Sequence, residues 1–373
     1  MTVEYTRAMR LGLVRMLCLS LGWSAFACSS AAAPPATTPQ APPAALPAPV
    51  APSTTSTTRP RVRLVATGGT ISNRTGGRLT AEELVALIPN LSNYVTPEFE
   101  QFANAASSQM TLAQWLDLAR RLNALFREDA ALAGLVVTSG TDTLEELAYF
   151  LNLTIRDDRP VVVVGSMRNP STLGYEGAAN LEEGFRVAGD RNARGRGVMV
   201  VLNDEINAAR EVTKTDALRL QTFQSRPYGI LGVVDRDRVV FYRRVERRHT
   251  ATSEFDVTGL TDLPRVDIVL TYQGAPGDLI RAAVDAGAKG VVIATAGAGA
   301  TSGTQGEGMR YATSKGVAVV TTTRTGSGRI AGGGRGATIG GEDLAPLKAR
   351  ILLMLALTRS TDPAEWRRMF SEY

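Results

Sequence analysis

Thr67-Gly68-Gly69-Thr70-Ile71 and Ser139-Gly140-Thr141-Asp142-Thr143 decide how this chain is read, because each closes a short run rich in β-branched residues, 61–66 and 134–139. A buried strand that ends in glycine and small hydroxyl residues is a strand-to-turn corner of an α/β fold, where backbone amides can approach a ligand without steric cost. Thr70 projects from the first turn. In the second, Thr141 or Asp142 caps a helix predicted over 143–151, and Asp142 with Glu145 fits a capping box. Caps at the carboxyl ends of parallel strands are also where catalytic groups and anion-binding amides sit. Neither corner has the spaced glycines of a dinucleotide site or the Gly-Lys-Ser/Thr ending of a phosphate loop.

Elimination narrows the chemistry. The only histidine, His249, lies in Arg243-Arg244-Val245-Glu246-Arg247-Arg248-His249, a polar stretch that reads as a solvated connector. A Ser-His-Asp triad and a metal site built on several imidazoles therefore lack support. Two cysteines, one of them inside the N-terminal leader, exclude a cysteine-rich zinc site and a disulfide framework. Hydroxyl chemistry assisted by a lysine or a carboxylate remains. Lys214, in Arg210-Glu211-Val212-Thr213-Lys214-Thr215-Asp216 after a strand predicted over 198–203, has two readings. It is a surface residue or an ion-pair partner of Asp216, or else a base working with Thr141 and Asp142, which requires burial or a neighbouring charge to lower its ordinary value of ~10.4.

The chain resembles the bacterial L-asparaginases of the asparaginase and glutaminase family over nearly everything from residue 61 to 373. The resemblance is carried by Ala66-Thr67-Gly68-Gly69-Thr70-Ile71, by 137–146 around Gly140-Thr141-Asp142, by Val164-Gly165-Ser166-Met167-Arg168, by Asn180-Leu181, and by Asp204 with Val212-Thr213-Lys214-Thr215. It implies hydrolysis of the side-chain amide of L-asparagine, and possible use of L-glutamine, through a threonyl acyl-enzyme without a cofactor or metal. Thr70 matches the primary nucleophile, and Thr141, Asp142 and Lys214 match the activating cluster. Gly69 and Gly140 would present backbone amides to the substrate, and Ser107, Ser108 and Gln109 align with its binding segment. The same serines also read as the approach to a helix over 112–126, opened by a Thr111–Gln114 capping box. A homotetramer built as a dimer of dimers is implied as well.

Three departures stand beside the matches. The lid segment Ser72-Asn73-Arg74-Thr75-Gly76-Gly77-Arg78 has no tyrosine, Ala296-Gly297-Ala298-Gly299-Ala300-Thr301-Ser302 lacks the family's asparagine, and Thr325-Gly326-Ser327-Gly328-Arg329-Ile330 lacks its glutamate. Arg74, Arg78, Arg324 and Arg329 are either replacements that contact a substrate carboxylate or ordinary exposed loop arginines.

Arg7, Arg10 and Arg15 precede an apolar run over 16–27, too short to span a bilayer at ~20 residues, and this reads as a signal peptide over 1–27. Ala25-Phe26-Ala27-Cys28 fits either an imperfect lipoprotein box, with Cys28 carrying a lipid anchor, or a plain cleavage site. Residues 28–58 form an Ala/Pro/Ser/Thr-rich tether. The expected product is exported, periplasmic or membrane-anchored. A net charge of +5, arginine-rich and dispersed, suits solubility and acidic substrates rather than nucleic acid.

The expected fold class is α/β, with two domains of mainly parallel sheet: a larger N-terminal catalytic domain over 59–250, a linker over 251–264, and a smaller C-terminal domain over 265–373. In the smaller one, strands predicted at 267–271, 290–294 and 317–321 alternate with helices at 278–286 and 309–315. Two terminal helices, 347–358 and 362–370, are expected to be amphipathic packing elements.

Overall fold

The β-branched run after Pro60 becomes strand β1 (Arg61–Gly68) in the computed structural model, which describes residues 58–334 and 337–373. The leader and the tether up to residue 57, with Cys28, lie outside the described residues. Seven further strands of the same sheet follow, with four helices among them. These are α1 (Ala81–Ala86), β2 (Thr96–Ala105), α2 (Leu112–Glu128), β3 (Leu132–Thr138), α3 (Leu144–Thr154), β4 (Val161–Val164), α4 (Gly177–Gly189), β5 (Val198–Leu202), β6 (Glu205–Ala208), β7 (Gly232–Val234) and β8 (Val239–Phe241). Their sheet order is β8-β7-β6-β5-β4-β3-β1-β2. The pairings from β5 to β2 are parallel and those from β5 to β8 antiparallel.

The parallel part has the order 2-1-3-4-5. The chain therefore leaves β1 in opposite directions to reach β2 and β3, and a crevice opens outside their carboxyl ends, the position where doubly wound sheets bind ligands. Both decisive turns sit there.

Period-2 alternation lets both faces of this sheet be buried. Val65, Leu135, Val137, Val161 and Val163 face α2 and α3, whereas Leu64, Ala66, Val136, Val162 and Val164 face α1 and α4. The predicted Thr111–Gln114 box caps α2: the Gln114 N–H donates to Thr111 Oγ1 (3.2 Å), and the Thr111 N–H to Gln114 Oε1 (2.8 Å).

The second sheet comprises β9 (Val266–Leu270), β10 (Gly290–Thr295), β11 (Ala318–Thr323) and β12 (Ile339–Gly340), all parallel and in sequence order. Helices α5 (Asp278–Asp285) and α6 (Gln305–Ser314) cover one face, and α7 (Pro346–Arg359) covers the other. The mainly parallel α/β architecture, with a larger N-terminal and a smaller C-terminal part, is as expected.

One expectation about packing is corrected. Helix α7 is not amphipathic: 351–356 is buried all round, because α7 is wedged between the small sheet and α3. The stretch 251–264 has little regular structure and is packed down, with Phe255, Val257 and Leu263 buried and Ser253 Oγ donating to the Leu153 carbonyl.

Candidate active site

The two turns are locked into each other by their glycines. Gly69 has φ 92° and ψ −174°, a backbone that L side chains rarely adopt. A Cβ there would lie 2.2 Å from the Gly140 nitrogen, and a Cβ on Gly140 would lie 2.7 Å from Ser107 Oγ. Thr67 fastens the strand ends, donating its N–H to Thr138 Oγ1 (3.1 Å) and its hydroxyl to the Thr138 carbonyl (2.6 Å). The predicted residues Gly69, Gly140 and Ser107 are thus packed together. Ser107 is buried, while Ser108 and Gln109 lie exposed on the same short turn, Ser107–Gln109.

Thr70 begins a 3-10 turn (Thr70–Ser72), half-buried, and its hydroxyl has no hydrogen-bond partner among the described residues. Thr141 is buried. Lys214 Nζ donates to Thr141 Oγ1 at 3.0 Å and to Asp142 Oδ1 at 3.1 Å. The Lys214 side chain is 18% exposed and that of Asp142 72%, so water screens the carboxylate end of the pair while the threonine end is sheltered. These distances lie within the range for direct proton transfer. Lys214 is therefore neither a surface residue nor a partner of Asp216, whose carboxylate instead accepts the Leu218 and Arg219 amides.

The capping box expected of Asp142 and Glu145 is absent. Helix α3 starts at Leu144 behind Thr143, with no side-chain cap. Glu145 turns away from the helix end and accepts from Thr213 Oγ1 (2.6 Å) and the Lys214 N–H (3.2 Å). Freed from capping, Asp142 is available to Lys214, and the buried Glu145 fixes the strand that carries it. The sequence had shown Glu145 only as a capping residue.

A second anchor was not anticipated. Lys348 on α7 is fully buried and donates to the carbonyls of Arg210 (3.0 Å) and Val212, four and two residues before Lys214. Burial pulls its amine down to about 8. Alongside it, Arg210 forms a two-pronged ion pair with Asp343 (2.7 and 2.8 Å), which holds that carboxyl well below its ordinary range despite burial. A lysine set in the apolar stretch Leu347–Leu355 is the one signal that could have marked it.

The lid segment is a tight hairpin in which Asn73 and Arg74 pair with Arg78 and Gly77. Arg74 is tied to Glu83 (3.1 Å), and Arg324 and Arg329 are exposed. Arg78 buries a guanidinium nitrogen, Nη1, that has no partner among the described residues. His249 is partly buried rather than solvated. Its Nδ1 meets Thr250 Oγ1 (2.8 Å), its ring packs beside Gly197, and burial lowers its pKa. No group of three or more His, Cys, Asp or Glu side chains arranged for a metal occurs among the described residues.

Two family models match the chain: "Asparaginase, N-terminal" over residues 61–247 and "Glutaminase/Asparaginase C-terminal domain" over 265–370. L-asparaginase 2 of Bacillus subtilis (strain 168) is 41% identical over 327 residues, covering 84% of this chain and 87% of its own. A glutaminase-asparaginase of Pseudomonas fluorescens biotype A is 36% identical over 337 residues, 86% and 92% of the two chains. A probable periplasmic L-asparaginase of Haemophilus influenzae is 35% identical over 328 residues, 84% and 93%. Among solved structures, that of a probable cytoplasmic L-asparaginase from Campylobacter jejuni matches with a TM-score of 0.80 at 38% identity, covering 84% of this chain and 100% of that one.

Proposed function

The chain belongs to the asparaginase and glutaminase family and is an amidohydrolase of the L-asparaginase kind, and from that premise we propose that it hydrolyses L-asparagine through a covalent threonyl intermediate. The Thr70 oxygen attacks the side-chain carbonyl carbon. The C–N bond breaks, ammonia leaves with the proton given up by the hydroxyl, and water then cleaves the Thr70 ester to release L-aspartate. Lys214 and Thr141 form the proton path, Asp142 orients the lysine and receives the substrate ammonium, and Ser107 contacts the substrate from beneath Gly140. Ser108, Gln109 and the amides at Gly69 and Gly140 complete the binding surface.

The observation that carries this reading is the contact of one sheltered lysine with both Thr141 and Asp142, at the sheet's switch point where the Thr70 hydroxyl has no hydrogen-bond partner among the described residues. L-Glutamine is the second substrate, in keeping with the glutaminase-asparaginase relative.

We further take residues 59–250 as the catalytic domain, joined through 251–264 to a C-terminal domain over 265–373. The leader directs export, as the periplasmic relative supports, with Cys28 as the lipid attachment point, and the protein acts as a homotetramer. Cell fractionation with Cys28→Ser tests the anchor, which predicts a shift from membrane to soluble fractions.

Ammonia release by the protein from residue 59 onward, offered L-asparagine or L-glutamine, tests the chemistry. Thr70→Ala and Thr141→Ala should each abolish release; a Thr70→Ala enzyme turning over near the wild-type rate would sink the mechanism.

A further inference from the structure

The turn that presents Thr70 has four consecutive carbonyls, and three of them are met from within its own segment. Gly69 O accepts from the Ser72 N–H (3.2 Å) and Ser72 Oγ (3.1 Å), Thr70 O from the Asn73 N–H, and Ser72 O from the Leu79 N–H (2.7 Å). The carbonyl of Ile71 is met from outside, by the hydroxyl of Tyr175 at 2.8 Å, across 104 residues of sequence. Tyr175 belongs to the loop between β4 and α4, and its ring packs against the core cluster that holds the Ile71 side chain.

The seat for this ring is specific. A Cβ on Gly177 would come within 2.4 Å of it, so the first residue of α4 must be glycine for Tyr175 to lie where it does. The same loop touches the hairpin a second time, where Ser171 Oγ accepts the Thr75 N–H (2.9 Å). Burial raises the phenol's pKa further, so it is a donor throughout the physiological range.

From this geometry we propose that Tyr175 is a positioning residue for Thr70: its hydroxyl, through the Ile71 carbonyl, fixes the turn from which the nucleophile projects. The inference rests on the reading of Thr70 as nucleophile for its catalytic consequence, though not for its structural one. Without the hydroxyl the turn is held by its local bonds alone and can rock about β1. Reacting groups displaced by about 1 Å lose on the order of a hundred-fold in rate, so a partial loosening costs less.

The test is Tyr175→Phe, which keeps the ring and removes only the donor. The expected result is a kcat for asparagine about ten-fold lower with KM within about two-fold, the pattern of an interaction realised in the transition state. Amide exchange should quicken in 70–79 while the rest of the chain keeps its wild-type protection. Wild-type kcat with unchanged exchange in 70–79 would overturn the proposal, and so would a general loss of protection across both sheets, which marks a purely structural role. A wild-type protein that releases no ammonia would instead remove the amidase reading, and the exchange data would still judge the link between Tyr175 and the turn.

Discussion

Lys214 shows how much of the site rests on single atoms. Replacing it with methionine keeps the stem and removes the three donors, so Thr141 and Asp142 lose their common partner. The expected outcome is a folded protein whose kcat/KM for asparagine is about a thousand-fold lower, the usual order for losing a positioned proton-transfer group. Lys214→Arg should not restore it, because a planar guanidinium cannot act as a base. Steady-state kinetics on both variants checks this.

Glu183 gives a prediction of the opposite sign for stability. It is buried on α4 beside the turn residue Asp204, whose N–H it accepts at 3.3 Å, and burial first, then Asp204, pushes it up to about 8 from 4.5. Between those two values the folded chain keeps a proton that the unfolded chain releases. The group's contribution is thus complete below pH 4.5 and is lost as pH rises towards 8, at ~1.4 kcal/mol per unit. Glu183→Gln should melt above the wild type at pH 8 and alongside it near pH 4.5. Thermal melts across that range would show a constant offset if the carboxyl were not responsible.

At the scale of elements, the segment bearing Lys214 is held on one side by Glu145 of α3 and on the other by Lys348 of α7. Lys348→Met removes both donors to the Arg210 and Val212 carbonyls, leaving two buried acceptors unmet at about 1–3 kcal/mol each. The expected signature is a fall of several-fold in kcat together with faster amide exchange in 210–215.

Elements are also where the sequence was most unevenly legible. Strands β1, β3, β5, β10 and β11 stand out as β-branched runs because both their faces are largely buried, and β9 keeps such a run although it lies at the edge of its sheet. Strand β2, with Pro97, Glu98, Glu100 and Gln101, gave no such signal, since an edge strand leaves half its residues to water and uses its acids to meet Arg61, Arg63 and Arg121. Strands β6 to β8 are too short to show a period. In the site, the residues of the two turns were readable because each is next to its glycine. Glu145, Tyr175 and Lys348 act across 68 to 138 residues of sequence, and no local pattern encodes a partner that distant.

Over the whole molecule, one core cluster runs from α2 and α3 through α7 and the last helix, α8 (Pro363–Glu372), into the small sheet, so the two sheets are not independent bodies. Tyr373 closes this arrangement: it is fully buried, stacks at 5.0 Å on Phe255, and its main-chain oxygen accepts from Arg210 Nε at 2.7 Å. Tyr373→Ala should cost about 3–5 kcal/mol, the usual range for truncating a buried aromatic. Chemical denaturation is expected to show a single transition displaced for the large and small sheets together. Separate transitions would contradict the continuity of the core.

The packing of Gly69 against Gly140, and of Gly140 against Ser107, has a consequence for how this chain can change over generations. A side chain on Gly69 would strike the Gly140 backbone, and one on Gly140 would strike Ser107. Gly69, Gly140 and Ser107 are consequently one heritable unit: a step away from either glycine meets an occupied neighbour before it can offer any benefit. Lineages that retune substrate preference must do so at the rim, through the hairpin and loops, while the floor of the crevice passes down unaltered.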